Sequence, residues 1–302
     1  MDSPVAPTAL FNSPQKQWVR EYFWLPILLS LKKRSSLPLR YLTFAGPEGF
    51  DIQFFVEQGI FELEHVRVWE KSQPAAAALL TKFGVNFQVK VGEAYTLSRA
   101  HNERDFFPHS VINLDFTNGA FHVPKPRALP ANFEITQNLI TAQREHAASF
   151  VLLLAFAANA DVDSEIGKAF VQKVAFDLAT RFGHTEPLFD LTRDPVKTHA
   201  KVLSSVIPCA VIRQGGEHFY DVQCLGKALY TPNNSKVTSM LCLAFEFSYD
   251  YPAMSETSLQ TSTRIDEVVV TRQKESLSLP LQDVNRLLRQ SRPPGQRKPQ
   301  KA

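Results

Sequence analysis

The chain is poor in the residues that build metal sites and disulfide frameworks. It has only three cysteines in 302 residues, and they are widely spaced: Cys209, Cys224 and Cys242. They cannot make a disulfide framework or a metal-type pair, so we expect a protein of a reducing cytoplasm with no metal centre. The sequence also has no H-E-x-x-H motif, no P-loop and no G-x-S-x-G motif. These absences argue against zinc-dependent, P-loop and serine-hydrolase chemistry.

Long apolar runs are missing as well. The longest cover 22–31 and 147–160, and the first contains Pro26. Both are shorter than the roughly 20 residues that a membrane helix needs. Residues 1–13 have neither the basic start nor the apolar core of a signal peptide. We therefore expect no membrane span.

Charge is spread unevenly along the chain. The net charge is +3, but residues 1–40 carry +4, residues 286–302 carry +6 and the middle carries −7. Basic ends often contact nucleic acid or another polyanion through phosphate groups. A solubilising tail is the alternative. The sequence thus predicts a possible nucleic-acid contact through its basic N- and C-terminal segments.

The glycine turn Ala45-Gly46-Pro47-Glu48-Gly49 stands between a strand and a helix. An apolar extended run over 39–44 precedes it, and a helix-like run over 51–61 follows. The next strand ends on Glu70, 21 residues after Gly49, where a carboxylate can accept hydrogen bonds from ribose hydroxyls. Glycines allow tight backbone torsions, and the helix start offers free N–H groups. This layout is typical of a nucleotide-type cofactor pocket.

The chemistry of the turn favours one cofactor over another. A dinucleotide fingerprint is G-x-G-x-x-G, whereas this chain has only G-x-x-G. Pro47 contributes no N–H, and Glu48 would repel a pyrophosphate. S-adenosylmethionine has no phosphate and carries an α-ammonium and a sulfonium, both of which suit Glu48. The turn therefore favours S-adenosylmethionine over NAD.

The pattern along the rest of the core alternates between strands and helices. Strands are predicted at 39–45, 65–70, 86–91, 110–115 and 149–157. Helices are predicted at 50–61, 73–84, 131–146, 163–182 and 195–206, after an N-terminal helix at 14–33 that is either single or broken near Pro26. Alternation of this kind indicates an α/β fold with a parallel sheet.

After this region the pattern changes. Residues 207–214, 217–231 and 236–249 are predicted as consecutive strands, with Gly215-Gly216 as a turn between the first two. The fold class is therefore a three-layer Rossmann-like α/β sheet of about seven strands, mostly parallel with a C-terminal antiparallel hairpin. A dehydrogenase sheet would instead stay parallel to its end.

Taken together, residues 39–249 resemble the class I S-adenosylmethionine-dependent methyltransferases. The glycine-rich turn, the acid after strand two and the acid after strand three all have counterparts here. The family often has an acid two residues before the first glycine, where this chain has Phe44, and three glycines, where it has two. The resemblance implies these cofactor-binding residues: Ala45, Gly46, Glu48, Gly49, Glu70 and Glu93.

The end of strand four carries the candidate catalytic residues. It reads Asn113-Leu114-Asp115-Phe116-Thr117-Asn118-Gly119, and base amino-group methyltransferases have Asn/Asp-Pro-Pro-Tyr/Phe at this place. Asp115 is predicted to orient the acceptor nitrogen or take its proton, and Phe116 to stack on a flipped base. Asn118 is the third candidate. The alternatives are a carboxylate that caps the following loop and an aromatic that only packs in the core.

Three segments are predicted: an N-terminal extension (1–36), a methyltransferase-like domain (37–250) and a C-terminal extension (251–302). In the last, residues 251–278 are polar with a strand-like island at 265–270, and 279–290 form a short amphipathic helix that docks on the domain or on a protein partner. The final residues form a basic disordered tail.

The predicted function is S-adenosylmethionine-dependent N-methylation of a nucleic acid or a protein. One alternative is a binding or scaffold protein that keeps the fold without turnover. A nicotinamide-dependent oxidoreductase is a less favoured alternative, because of Glu48 and the hairpin ending.

Overall fold

The computed structural model describes residues 12–84, 87–94, 96–97, 107–123, 131–158, 162–184, 195–232, 239–249 and 258–291. Its strands are β1 (Tyr41–Thr43), β2 (Val66–Glu70), β3 (Gln88–Val91), β4 (Val111–Gly119), β5 (Phe150–Ala157), β6 (Tyr220–Tyr230), β7 (Met240–Tyr249) and β8 (Leu281–Asp283). Its α-helices are α1 (Pro14–Trp18), α2 (Leu25–Arg34), α3 (Phe50–Glu57), α4 (Gln73–Phe83), α5 (Asn132–Arg144), α6 (Glu165–Phe182), α7 (Pro195–Glu217), α8 (Ser258–Ser278) and α9 (Val284–Gln290). A π-helical segment, Val19–Trp24, joins α1 to α2.

These strands form one sheet in the order β3-β2-β1-β4-β5-β7-β6-β8. Strands β1 to β5 pair in parallel, and β7 runs antiparallel to both β5 and β6. The predicted Rossmann-like sheet with an antiparallel C-terminal pair is confirmed, with β8 added in parallel beside β6. The strand order reverses at β1 and β4, which is where open α/β sheets form a ligand crevice.

Both faces of the sheet are covered, so the fold has three layers. All of β5 is buried, and its side chains alternate between the two faces: Leu152 and Leu154 enter one core, while Val151 and Leu153 enter the other. Helices α5, α7 and α8 contribute to the first core, and α2, α3, α4 and α9 to the second. Within the described ranges, no helix combines the length and apolar character needed to cross a bilayer.

Helix α7 corrects one prediction. Residues 207–214 are helical rather than a strand, and Gly215-Gly216 lie in the last turn of α7 rather than in a hairpin turn. The two glycines allow close packing: a Cβ on Gly215 would lie 2.1 Å from a methyl of Val222, and one on Gly216 would lie 2.4 Å from a methyl of Val269. The apolar run is buried on α7 against β6 and α8, and an apolar run alone does not distinguish a buried strand from a buried helix.

The C-terminal segment corrects a second prediction. The strand-like island at 265–270 lies inside helix α8, where Ile265 and Val269, four residues apart, pack on the same core. This packing overrides the β-propensity of the valine run. The predicted helix at 279–290 begins only at Val284, because residues 281–283 pair with β6 as strand β8. Of the predicted disordered tail, 291–302, Ser291 caps the C-terminal end of α9, and residues 292–302 lie outside the described residues.

The N-terminal segment is continuously helical from Pro14 to Arg34, and Pro26 does not break it because it lies in the first turn of α2. The side chain of Ser13 caps α1 by accepting a hydrogen bond from the backbone N–H of Lys16. Phe23 packs directly on β6, since a Cβ on Gly226 would lie 2.6 Å from its ring. This anchoring presents one side of the segment to the ends of β1 and β4.

Candidate functional site

A cavity of about 410 Å³ opens at the carboxyl ends of strands β1 to β4. Its volume falls within the range of small-molecule pockets. Each site residue predicted from the sequence lines it: Ala45, Gly46, Glu48, Gly49, Glu70, Glu93, Asp115, Phe116 and Asn118. The structure thus brings together residues from four separate strand ends, and their individual roles stay predictions.

The glycine turn is held in one tight conformation. Gly49 has φ 54° and ψ 38°, in the left-handed region, and its N–H donates to the carbonyl of Gly46 at 3.0 Å. A Cβ at Gly49 would lie 2.6 Å from the ring of Phe83. Lys82 fixes the outer side of the turn by donating to the carbonyl of Glu48 at 2.6 Å. Position 49 therefore requires glycine both for its torsions and for the close approach of α4.

The strand order places the candidate residues in one row. Glu93 follows β3, Glu70 ends β2, the glycine turn follows β1 and Asp115 lies on β4. Neighbouring strands lie about 4.8 Å apart, so the row from β3 to β4 spans roughly 14 Å. A ligand that extends across this row meets the four groups in that order.

At the β2 end of the row, Glu70 is held in place by the backbone. Its carboxylate accepts a hydrogen bond from the N–H of Ser72 at 2.8 Å. Half-burial raises the pKa of Glu70, against the smaller opposite effect of that hydrogen bond. The neighbouring ring of Trp69 donates to the carbonyl of Glu93 at 3.2 Å and packs close to Gly92. The ends of β2 and β3 are thereby tied together.

At the β4 end, Asp115 forms an ion pair with Lys16 of α1. Nζ of Lys16 lies 2.5 Å from Oδ2 of Asp115, and the two side chains are only 16% and 13% exposed. Burial lowers the pKa of Lys16, but Asp115 and Asp51 outweigh it and the net shift is upward. The second oxygen, Oδ1 of Asp115, is buried with no hydrogen-bond partner among the described residues.

A second ion pair lies beside the glycine turn. Arg20, from the π-helical segment, donates to Asp51 in the first turn of α3. Asp51 also lies 3.5 Å from the amide nitrogen of Asn113, which in turn donates to the hydroxyl of Tyr41 at 2.9 Å. Asp51 thus supplies a carboxylate to the end of β1 at which Phe44 stands.

Sequence reasoning missed Lys16, Arg20 and Asp51, which all line the cavity. The available signal was the spacing of Lys16 and Arg20, four residues apart on a helix whose other residues are largely apolar and aromatic. Like charges at this spacing repel each other on a helix, and nearby carboxylates remove that repulsion.

Of the two remaining candidates on β4, Phe116 is packed and Asn118 is exposed. Strand β4 continues to Gly119, beyond the predicted end at 115, with a register irregularity between Asp115 and Gly119. Phe116 is 7% exposed and meets Phe44 edge to face, with ring centroids 5.4 Å apart. Both rings line the cavity, so Phe116 combines core packing with a face on the pocket.

The wall of the cavity is net negative. Among the described lining residues there are five carboxylates and three fixed cations, an excess of two negative charges. The carboxylates are Glu48, Asp51, Glu70, Glu93 and Asp115, and the cations are Lys16, Arg20 and Lys71. One oxygen of Glu48 is buried without a hydrogen-bond partner in the part of the chain that the structure describes. Such a wall attracts cationic ligands and repels phosphates.

No protein-family model and no curated protein matches the chain. Among solved structures, it is similar to precorrin-6y C5,15-methyltransferase from Geobacter metallireducens, with 14% identity over 78% of this chain and 89% of that one and a TM-score of 0.36. It is similar to human methyltransferase-like protein 13 in complex with S-adenosylhomocysteine, with 11% identity over 89% and 94% and a TM-score of 0.36. A third is M. capricolum TrmK in complex with S-adenosylhomocysteine, with 7% identity over 78% and 73% and a TM-score of 0.36. The fold assignment depends on the strand order and pairing described above.

Proposed function

We propose that the chain is an S-adenosylmethionine-dependent methyltransferase that acts on a nitrogen acceptor. The observation that carries this proposal is the row of carboxylates along the β3-β2-β1-β4 edge, in a cavity whose wall is net negative. When bound, the cofactor supplies a methyl group activated by a sulfonium, and the protein's task is mostly alignment.

The residues present fit this cofactor. Glu70 is positioned for ribose hydroxyls, and Glu93 lies one strand further out, on the adenine side. Glu48 and Asp51 flank the turn where the cationic amino-acid end would lie, and the buried oxygen of Glu48 lacks a partner that an ammonium would provide. Asp115 then faces the acceptor. NAD fits less well, because the same turn offers negative charge where a pyrophosphate would bind.

Calorimetry with S-adenosylhomocysteine, S-adenosylmethionine and NADH tests the proposal. Glu70→Ala removes a charge-assisted hydrogen bond worth about 1.5–3 kcal/mol, so we expect S-adenosylhomocysteine to bind at least about tenfold more weakly. Glu64→Ala is the matched control, because Glu64 is exposed at the opposite end of β2. Binding of NADH alone would contradict the proposal, and binding of none of the three ligands would favour a scaffold without turnover.

The acceptor is proposed to be a nucleic acid, with protein as the alternative. The aromatic Phe116 in the cavity lining and the basic ends of the sequence support a nucleic acid. Transfer of a labelled methyl group to total RNA, DNA and lysate protein separates these classes.

For the segment 279–290, the apolar side of α9 packs on the chain itself through the fully buried Val284. A protein partner for its other side stays a prediction.

A further inference from the structure

The carboxylate assigned to the acceptor already holds an amine from the same chain. Nζ of Lys16 lies 2.5 Å from Oδ2 of Asp115, inside the lining of the cavity. The side chain of Lys16 is 16% exposed, so its amine is largely withdrawn from solvent. A primary amine resting on Asp115 is the contact that a nitrogen acceptor would make there.

The position of Lys16 along the row distinguishes it from the other cations of the cavity. Arg20 pairs with Asp51 beside the glycine turn after β1, and Lys71 follows Glu70 at the end of β2. Lys16 pairs with Asp115 of β4, at the end of the row opposite Glu93. Its amine therefore occupies the acceptor end rather than the ribose end.

Three contacts hold Lys16 at this place. Ser13 caps the helix that carries it, the ion pair of Arg20 fixes the following turn, and Phe23 packs on Gly226 of β6. These contacts lie on both sides of Lys16 along the chain. The helical segment that carries Lys16 is therefore packed on the sheet and holds the amine beside Asp115.

We propose that the amine of Lys16 occupies the position on Asp115 at which an acceptor amine would bind. We propose that Lys16 is itself methylated there on Nζ, by the chain that carries it. This inference rests on the proposed function, because it needs S-adenosylmethionine as the methyl donor. It assigns a modification site to the N-terminal helix and identifies an alkyl amine as a group that the acceptor end accommodates.

The transfer balances without another reactant. A proton on Nζ of Lys16 passes to Oδ2 of Asp115, and the nitrogen lone pair forms a bond to the methyl carbon. The bond between that carbon and sulfur breaks, and its electron pair stays on sulfur. The products are Lys16 with a methyl group on Nζ, S-adenosylhomocysteine and a proton that Asp115 releases to water.

The charged surroundings of Lys16 give the reaction a pH dependence. Asp115 of β4, Asp51 of α3, Arg20 of the π-helical segment and Cys242 of β7 face its amine. Burial lowers the pKa of Lys16, but the carboxylates outweigh it, so the amine is protonated at neutral pH. The neutral amine, which is the nucleophile, becomes more abundant as the pH rises. Self-methylation is therefore expected to accelerate steadily with alkaline pH.

Peptide mapping by mass spectrometry of the full chain, incubated with S-adenosylmethionine, tests the proposal. We expect one methyl group on Lys16 and none on Lys71, which lines the same cavity, or on the exposed Lys33. The Lys33→Arg chain should methylate Lys16 like the wild type. A Glu70→Ala chain mixed with wild type should be methylated no faster than the same variant alone, since the transfer is within one chain.

Two measurements that need no turnover accompany the mapping. Without any cofactor, acylation of amines by acetic anhydride should label Lys33 much faster than Lys16, and Asp115→Asn should raise the labelling of Lys16. Calorimetry reports S-adenosylhomocysteine binding independently. If that ligand binds but Lys16 stays unmethylated, or if another lysine takes the methyl group first, the proposal is overturned while the proposed function stands. If the ligand does not bind, both fall.

Discussion

Substitution of Gly49 by alanine tests the geometry of the glycine turn. At φ 54°, an alanine costs about 1–2 kcal/mol of backbone strain. Its Cβ would also lie 2.6 Å from Cε2 of Phe83 and 2.9 Å from Cδ2 of Leu79, an overlap that costs about 1–3 kcal/mol more. We therefore expect Gly49→Ala to lower the free energy of unfolding by about 2–5 kcal/mol.

Gly183→Ala is the matched control. Gly183 has φ 74°, also in the left-handed region, but nothing lies within 4 Å of its Cβ position. Gly183→Ala should therefore lower the free energy of unfolding by only about 1–2 kcal/mol, which is the cost of the backbone strain. Urea unfolding followed by circular dichroism measures both variants, with the denaturant slopes compared to verify that the transitions stay alike.

A double-mutant cycle separates the two costs. When Phe83→Leu shortens the side chain that meets the Cβ, the cost of Gly49→Ala should fall toward that of Gly183→Ala. Equal losses for the two single alanine variants, or no coupling between positions 49 and 83, would refute the packing described for this turn.

Two further perturbations test the buried charges. Arg20→Met leaves the mostly buried Asp51 without its cation and should lower the free energy of unfolding by about 3–5 kcal/mol, whereas Arg34→Met, which breaks a more exposed pair on the same segment, should cost at most about 1 kcal/mol. If urea unfolding gave similar losses of unfolding free energy for Arg20→Met and Arg34→Met, the prediction would be contradicted. Burial lowers the pKa of His109 well below 6.5, so unfolding takes up a proton and stability falls as the pH drops below about 6.5, by up to about 1.4 kcal/mol per unit. His109→Phe, beside Phe107, should flatten this part of the pH profile; an unchanged slope would show that other groups cause it.

The part of the candidate site that was predicted could be found because those residues follow local patterns. Glu70 ends β2, Asp115 closes the apolar run that opens β4, and Gly46 and Gly49 stand between a strand and a helix. In a parallel sheet the carboxyl ends of the strands share one edge. Residues far apart in sequence are therefore brought together by a rule that needs no knowledge of side-chain contacts.

The misassigned elements have a different cause. The run at 207–214 and the island at 265–270 are apolar or β-branched, and their intrinsic pattern suits a strand as well as a helix. The packing of α7 against β6 and α8 decides the outcome, and Gly215 and Gly216 allow the close approach to Val222 and Val269.

The sequence by itself determined the α/β alternation, the antiparallel ending and the acids on β2, after β3 and on β4, because these depend on residues that are neighbours along the chain. Tertiary structure alone decided that Lys16 contacts Asp115, 99 positions away, and that Arg20 contacts Asp51. It also decided that residues 281–283 extend the sheet as β8. Such pairings depend on how a helix or strand docks on the sheet, and that docking is set by packing summed over many distant residues.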